Sequence, residues 1–499
     1  MRNDLAARAR DIALKLTAIP SVTGSEAEAQ LPQALAGMLK SFGEVSIAPI
    51  PGDAAGRSNV FALRRGNGRR TIVLTGHFDV VPVDDYGALQ PLAFDAEGLL
   101  SAIVARLKQN GENPQALADF ESGDYLPGRG LLDMKAGLGA GIAAAEAWNG
   151  EGNLLFLAVS DEEDRSAGAR AAAPMLSQFA QAHDLDIALV INLDAISDQG
   201  NGAFGRSVAM GSIGKQLLTA FVAGREAHAC YPQDGANAAY LAAELLTEFE
   251  LAPELAEQTG DETAEPPTAL AAKDLKQGYN VTTPAQAWVY WNTLQHRRNT
   301  SEVLSIAMDL ARRAMARAAR KMKRDIPVMT YADLAARVPE AERQRIAAEM
   351  ASLTALDFPE RAKRMTAALW ALSGLTGPAV VMGFGSIPYA AVSLRDKALD
   401  KAITEAAAPF GVGRLSYFPG ISDMSFFGEA QGGLAETALN TPIWGTSFSM
   451  PESAGYPCIN IGPWGRDYHT WLERLNAPYA FEILPRVLLA VIEAVMKRR

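Results

Sequence analysis

Short, largely apolar runs that alternate with helix-period text constrain this chain more than any other feature. Residues 71–74, 154–159 and 187–193 are such runs, and 136–148 and 167–182 read as helices between and beside them. Strands that alternate with helices build a mainly parallel sheet, so the expected class is α/β. In such sheets sites are assembled at the carboxyl ends of the strands. The residues directly after each apolar run are therefore the first candidates for function.

The first run leads into Gly76-His77-Phe78-Asp79, and residues two apart in an extended chain share a side, so His77 and Asp79 can meet. The second leads into Ser160-Asp161-Glu162-Glu163-Asp164, acids that repel one another unless a cation or solvent relieves them. The third ends at Asp194, and a further apolar stretch, 460–465, precedes His469. A charge run or a strand cap explains each of these alone. Asp133, in Gly128-Arg129-Gly130-Leu131-Leu132-Asp133-Met134-Lys135, reads by itself as the N-cap of the next helix. Taken together, imidazoles and carboxylates at successive strand ends point to a metal site. That ligand mixture suits zinc, and so many acids suit two ions sharing one carboxylate.

Other motifs carry less. No strand directly precedes Gly137, Gly139 and Gly141, so they are not a dinucleotide loop, and close helix packing accounts for them. The stretch 210–216 lacks the spacing of a phosphate loop, and no Gly-x-Ser-x-Gly elbow occurs.

Length and charge narrow the class further. With 499 residues, two or three domains are expected. Lys and Arg number 46 against 57 Asp and Glu, a net charge of −11, which argues against nucleic acid or an anionic membrane as partner. No apolar run approaches a membrane span, and residues 1–19 lack the apolar core of a signal peptide. Cys230 and Cys458 make no disulfide framework, so a cytoplasmic location is expected. After about residue 210 the pattern changes to strand 215–224, helix 234–248, an acidic Pro-containing stretch 253–267 read as an exposed loop, strand 287–294 and long helix 301–324. We therefore expect an inserted α+β domain at 212–325, with the main domain formed by 1–211 and 326–499. The mostly helical stretch 328–373 is expected to cover the main domain.

In order and spacing these motifs resemble the co-catalytic zinc peptidases and deacylases, the family of glutamate carboxypeptidase, aminoacylase, succinyl-diaminopimelate desuccinylase and peptidase T. Within it, Gly76-His77-Phe78-Asp79-Val80-Val81-Pro82-Val83-Asp84-Asp85-Tyr86-Gly87 is most similar to an arginine-utilisation branch. The resemblance implies a three-layer α/β/α catalytic domain with the inserted block as lid and dimerisation domain. It implies two zinc ions per chain, with cobalt or manganese as alternatives. His77 and Asp194 would hold one ion, Glu163 and His469 the other, and Asp133 would bridge them, with a cis peptide after Asp133. Asp79 would fix the tautomer of His77, and Glu162 would be the general base for a metal-activated water attacking an amide. His228, in Gly224-Arg225-Glu226-Ala227-His228, matches a family histidine that stabilises the oxyanion, often across a homodimer. Ser422 and Asp423, in Gly420-Ile421-Ser422-Asp423-Met424, match a segment near the substrate. The implied substrate is a small peptide or N-acyl amino acid.

The chain departs from the family in two respects: residues 329–373 are longer than in simple members, and the usual substrate-gripping Arg is missing. Relatives grip a substrate carboxylate with an Arg in the last lid strand, whereas Tyr290-Trp291-Asn292-Thr293 has none and offers Asn292, with Arg297 and Arg298 just beyond it. A non-catalytic binding or regulatory protein on the same scaffold is the alternative, but the full set of His77, Asp133, Glu162, Glu163, Asp194 and His469 argues against decay. The basic residues of 312–324 could face nucleic acid, yet Leu304, Met308, Ala311, Met315 and Met322 make an ordinary amphipathic helix. His183 and His296 match nothing and are expected at the surface.

Overall fold

The apolar runs pair side by side in a computed structural model that describes residues 2–259, 262–448 and 450–498. The chain divides into two units. The first comprises the chain up to Ser212, Val392–Ala430 and the chain from Pro451 on. Its eight-stranded sheet runs in spatial order Gly43–Pro49, Ser58–Arg64, Asn153–Val159, Arg70–His77, Asp186–Asn192, Cys458–Asn460, Ser207–Ala209 and Gly413–Leu415. Asn153–Val159, Arg70–His77, Asp186–Asn192 and Cys458–Asn460 are parallel neighbours. Gly43–Pro49 and Ser58–Arg64 join antiparallel at one edge, so the sheet is mixed, with its parallel part in the middle.

The central strands are apolar along most of their length because both faces are covered, with polar residues at their ends. Phe61 stacks on Phe179 of helix Ala167–Ala182, and its partner Leu157 lies on that same face. Phe156, Leu74 and Gly76 point the other way, where a side chain at Gly76 would strike Met134, just before helix Ala136–Ala147, and press on Leu138 of that helix. Helices Arg2–Thr17 and Leu484–Met496 pack on Ala136–Ala147. Two helical layers on a sheet make the three-layer α/β/α arrangement.

The second unit comprises Ile213–Ala391 and Gln431–Met450. Its five-stranded sheet runs Thr268–Asp274, Gln286–Gln295, Gly214–Ala223, Ala379–Phe384 and Val328–Thr330. Helices Ala238–Phe249 and Thr300–Met322 bury their apolar stripes on it, with Phe249 stacked on Trp291 at 4.6 Å. The polar side of the long helix is paired within the unit: Arg313 meets Glu248 and Glu254, and Arg317 meets Glu244 and Glu248.

Three expectations are corrected here. Residues 326–391 and 431–450, assigned from sequence to the main domain, belong to the second unit; within it Ala379–Phe384 pairs antiparallel with Gly214–Ala223 from Leu218↔Phe384 to Ala223↔Ala379. The stretch 253–267 is not simply an exposed loop: Leu255, Glu257 and Ala264 are buried and Gln258–Thr259 pairs with Glu262–Thr263, while Gly260 and Asp261 lie outside the described residues. His296 is buried, its N–H donated to Glu257 at 2.9 Å, and His183 is half-buried against Phe179 with Nε2 3.2 Å from Glu44. No helix among the described residues is long and apolar enough to cross a membrane.

Candidate active site

Parallel neighbours end side by side, and that geometry gathers the candidate residues. His77 is the last residue of Arg70–His77; Glu162 and Glu163 form the turn after Asn153–Val159, and Asp194 comes just after Asp186–Asn192. Asp133 sits in a kinked turn before helix Ala136–Ala147, with non-helical backbone and a cis peptide to Met134. His469 occupies the turn between the antiparallel strands Trp464–Arg466 and Arg474–Asn476.

Asp133 is the centre of the group. Its Oδ1 is 3.1 Å from His77 Nε2, and its Oδ2 is 3.1 Å from His469 Nε2. His469 Nε2 is also 3.2 Å from Glu163 Oε1, and His77 Nε2 is 3.8 Å from Asp194 Oδ1. One donor atom each from His77, Asp133 and Glu163 lie within 4.8 Å of one another. Each imidazole thus turns its Nε2 to a different oxygen of one carboxylate and, at the same Nε2, to a second carboxylate, Asp194 or Glu163.

The backbone around these groups is held by residues that do not join them. Asp79 is fully buried: Oδ1 accepts the Glu162 N–H at 3.1 Å, while Oδ2 accepts the Glu163 N–H at 3.2 Å and the Thr23 hydroxyl at 2.9 Å. His77 Nδ1 lies 3.0 Å from the Asp79 backbone carbonyl and 3.7 Å from its carboxylate. The carbonyl accepts only, so it fixes the proton on Nδ1 and turns the Nε2 lone pair to the cluster. The ring is therefore oriented by the Asp79 main chain, and the carboxylate organises the Glu162–Glu163 turn.

Asn460 clamps Asp194, its Oδ1 accepting the Asp194 N–H at 3.1 Å and its Nδ2 donating to the Asp194 carbonyl at 2.9 Å. Asn192 bonds the same Asn460 oxygen and the Ser422 hydroxyl, each at 3.0 Å. Ser422, expected beside substrate, is fully buried in that network. Two glycines permit the close approach: a Cβ at Gly137 would lie 2.0 Å from the Leu193 carbonyl, and one at Gly130 (φ +74°) would lie 2.2 Å from Val80.

Charge crowding dominates the electrostatics. Burial, then the neighbouring acids, push Glu162 well above the usual carboxylate range; burial and Asp133 raise Asp194, and burial also raises Glu163. Burial lifts Asp423 to about 7, and its charge bears on Glu162. Burial opposes protonation of His469, but Asp133 and Glu163 lift it to about 10, and Asp133 and Asp194 raise His77 in the same way. Asp133 is held below the ordinary range by hydrogen bonds with His469 and His77 that outweigh its burial. Buried acids that can ionise only at high cost, opposite two Nε2 atoms, are a donor set that divalent cations fit: the cations supply the positive charge that protons supply in their absence.

His228 and Asn292 belong to the second unit. His228 is exposed and its Nδ1 accepts the Cys230 N–H at 3.1 Å, leaving the proton on Nε2 as a donor. Asn292 is half-buried in strand Gln286–Gln295, paired with Leu217 and Thr268. Sequence reading missed Asn460, Asn192 and Thr23; the only signal for Asn460 was a polar residue closing an apolar strand.

A family profile for Peptidase family M20/M25/M40 matches residues 73–441. The YqjN protein of Bacillus subtilis (strain 168) is 32% identical over 96% of this chain and 94% of its own length. Protein RocB of the same organism is 26% identical over 97% of this chain and 94% of its own. A succinyl-diaminopimelate desuccinylase of Stutzerimonas stutzeri (strain A1501) is 29% identical over 45% of this chain and 51% of its own length. Among solved structures, a tripeptidase from Staphylococcus aureus superposes with a TM-score of 0.58 at 16% identity, covering 99% of both chains. The Bacillus subtilis YxeP protein, described as a dinuclear metal-binding peptidase, does so with a TM-score of 0.51 at 13% identity, covering 99% of both chains.

Proposed function

The chain belongs to peptidase family M20/M25/M40 and is a metal-dependent hydrolase of amide bonds, and we propose that it works as a two-zinc enzyme on a small peptide or N-acyl amino acid. The observation that carries this reading is the Asp133 carboxylate, with one oxygen 3.1 Å from each of two imidazole Nε2 atoms. In this reading His77 and Asp194 would hold one ion and His469 and Glu163 the other, with Asp133 shared between them. When bound, the pair supplies Lewis-acid activation of a water and of the scissile carbonyl.

The remaining steps belong to the chain. Glu162 is the general base: its carboxylate accepts the proton of the attacking water and passes it to the leaving nitrogen. Its main chain is pinned by Asp79, which fixes where that proton is taken and released. His228 Nε2–H is the donor that stabilises the developing oxyanion. Asn292 contacts substrate, and the buried Asp423 carboxylate acts through its charge on Glu162. The second unit serves as lid and homodimer surface; the second role is supported by its edge strand Thr268–Asp274, where Leu270 is 55% exposed. The free thiols of Cys230 and Cys458 fit a cytoplasmic location. The relation to RocB puts arginine derivatives among the substrates to test.

The test is metal analysis together with Glu162→Gln. Purified enzyme should bind two zinc ions per chain, and Glu162→Gln should keep both while hydrolysis of a screened dipeptide or N-acyl amino acid falls roughly 100- to 10,000-fold. A variant with undiminished turnover removes Glu162 as base.

A further inference from the structure

One buried carboxylate outside the cluster joins the turn that carries Asp133 to the turn that carries His469. Glu473 Oε1 accepts the Gly130 N–H at 2.9 Å, and its Oε2 accepts Arg129 Nη1 at 3.0 Å. Arg129 and Glu473 are each 1% exposed, and Arg129 Nη2 extends the chain to Asp85 at 2.8 Å. The Gly130 carbonyl accepts the Lys135 N–H at 2.9 Å, closing the turn that presents Asp133. On the other side, the Glu473 N–H bonds the Thr470 carbonyl at 3.0 Å, so its side chain is tied to the His469 turn through its own main chain.

That turn is costly backbone. His469 has φ +64° and Asp467 φ +52°, left-handed values that non-glycine residues keep only where their surroundings over-determine them. Several contacts do so. Asp467 accepts Arg474 Nη1 at 2.5 Å and Gln199 Nε2 at 2.7 Å. Asp119 receives Arg466 at 2.6 Å and Arg474 at 2.7 Å, which fixes the two ends of the turn to helix Pro114–Ser122. Glu473 supplies a further clamp, and this is the one that runs to Asp133.

We propose that Glu473 is a positioning residue that sets Asp133 against His469 and thereby tunes the affinity of the His469–Glu163 half of the site for its cation. The inference rests on the two-cation reading above. Loosening Glu473 moves His469 relative to Asp133, whereas His77 and Asp194 stay on the ends of paired strands, so the two half-sites should respond unequally.

Zinc titration of the full chain against a chromophoric chelator, with folding checked by circular dichroism, tests this on wild type, Glu473→Gln and Asp85→Asn. Glu473→Gln should retain one site near wild-type affinity and weaken the other about 10- to 100-fold, the usual effect of losing a partner behind a metal ligand. Asp85→Asn, which frees Arg129 only at its more exposed end, should weaken the same site by less. Equal weakening of both sites, or a folded Glu473→Gln with both affinities unchanged, overturns the proposal. Should Glu473→Gln fail to fold, unchanged affinities in Asp85→Asn overturn it. Wild type that binds fewer than two ions refutes the two-cation reading itself, and is read before any variant.

Discussion

Asp79→Asn separates two accounts of a carboxylate that bonds the main chain of Glu162 and Glu163 and lies 3.7 Å from the His77 ring. If the carboxylate orients His77, the substitution should disturb the His77 half of the site. The geometry says otherwise, because His77 Nδ1 bonds the Asp79 main-chain carbonyl at 3.0 Å, which asparagine leaves in place. Asparagine instead changes the reception of the Glu162 and Glu163 N–H groups at 3.1 and 3.2 Å. It has one acceptor oxygen where aspartate has two, so its NH2 must face one of those donors. A hydrogen bond to a charged group contributes roughly 1.5–3 kcal/mol, and a buried donor left unpaired costs a similar amount. The metal-free first unit should therefore lose about 3 kcal/mol of stability, measured by denaturant unfolding in chelator. Zinc affinity on the Glu163 side should fall roughly 10-fold or more, at about 1.4 kcal/mol per decade. The His77 side should change little. Stability within about 0.5 kcal/mol of wild type and unaltered affinities would refute this assignment of Asp79.

Gly137→Ala places a Cβ 2.0 Å from the Leu193 carbonyl, main chain that cannot yield without moving Asp194, so a loss of about 2–3 kcal/mol and weaker zinc binding are expected. Gly141→Ala is its control: the new Cβ meets the tip of Leu193 at 2.5 Å, which can rotate, so equal losses in the two variants would refute the steric argument. In the second unit, burial holds His296 below the ordinary imidazole pKa, opposed by the facing Glu257 and Glu262 and reinforced by Arg297. The unfolded chain then takes up its proton first, so this contribution to stability is full above about pH 6.5 and declines as pH falls below it. Denaturant unfolding monitored by tryptophan fluorescence should show that slope between about pH 7.5 and 5.5 in wild type and a flatter one in His296→Gln; identical slopes exclude His296.

How far the sequence could be read depended on the range of each signal. The strand Arg70–His77 and the helix Ala167–Ala182 were legible because their evidence is local periodicity. The acids after Asn153–Val159 were legible because a charge run closing an apolar strand is anomalous in itself. The strand Ala379–Phe384 is as apolar as Asp186–Asn192, and nothing in its text states which sheet it joins. Asp133 looked like a helix cap, and His296 like a surface residue, because one polar side chain carries no record of what lies across from it.

The order of apolar and polar residues alone determined that this chain makes an α/β sheet, that His77, Glu162, Glu163 and Asp194 stand at strand ends, and that glycines line one helix. Those are properties of neighbours along the chain, set by side-chain period and backbone geometry. Tertiary structure decided that Asp133 lies between two imidazoles, that the Asp79 carboxylate serves a turn and its main chain serves a ring, and that Glu473 reaches Gly130. Those are contacts between residues far apart in the chain, fixed only when strand register and helix packing bring the segments together, with hydrogen bonds that burial makes costly to leave unmade.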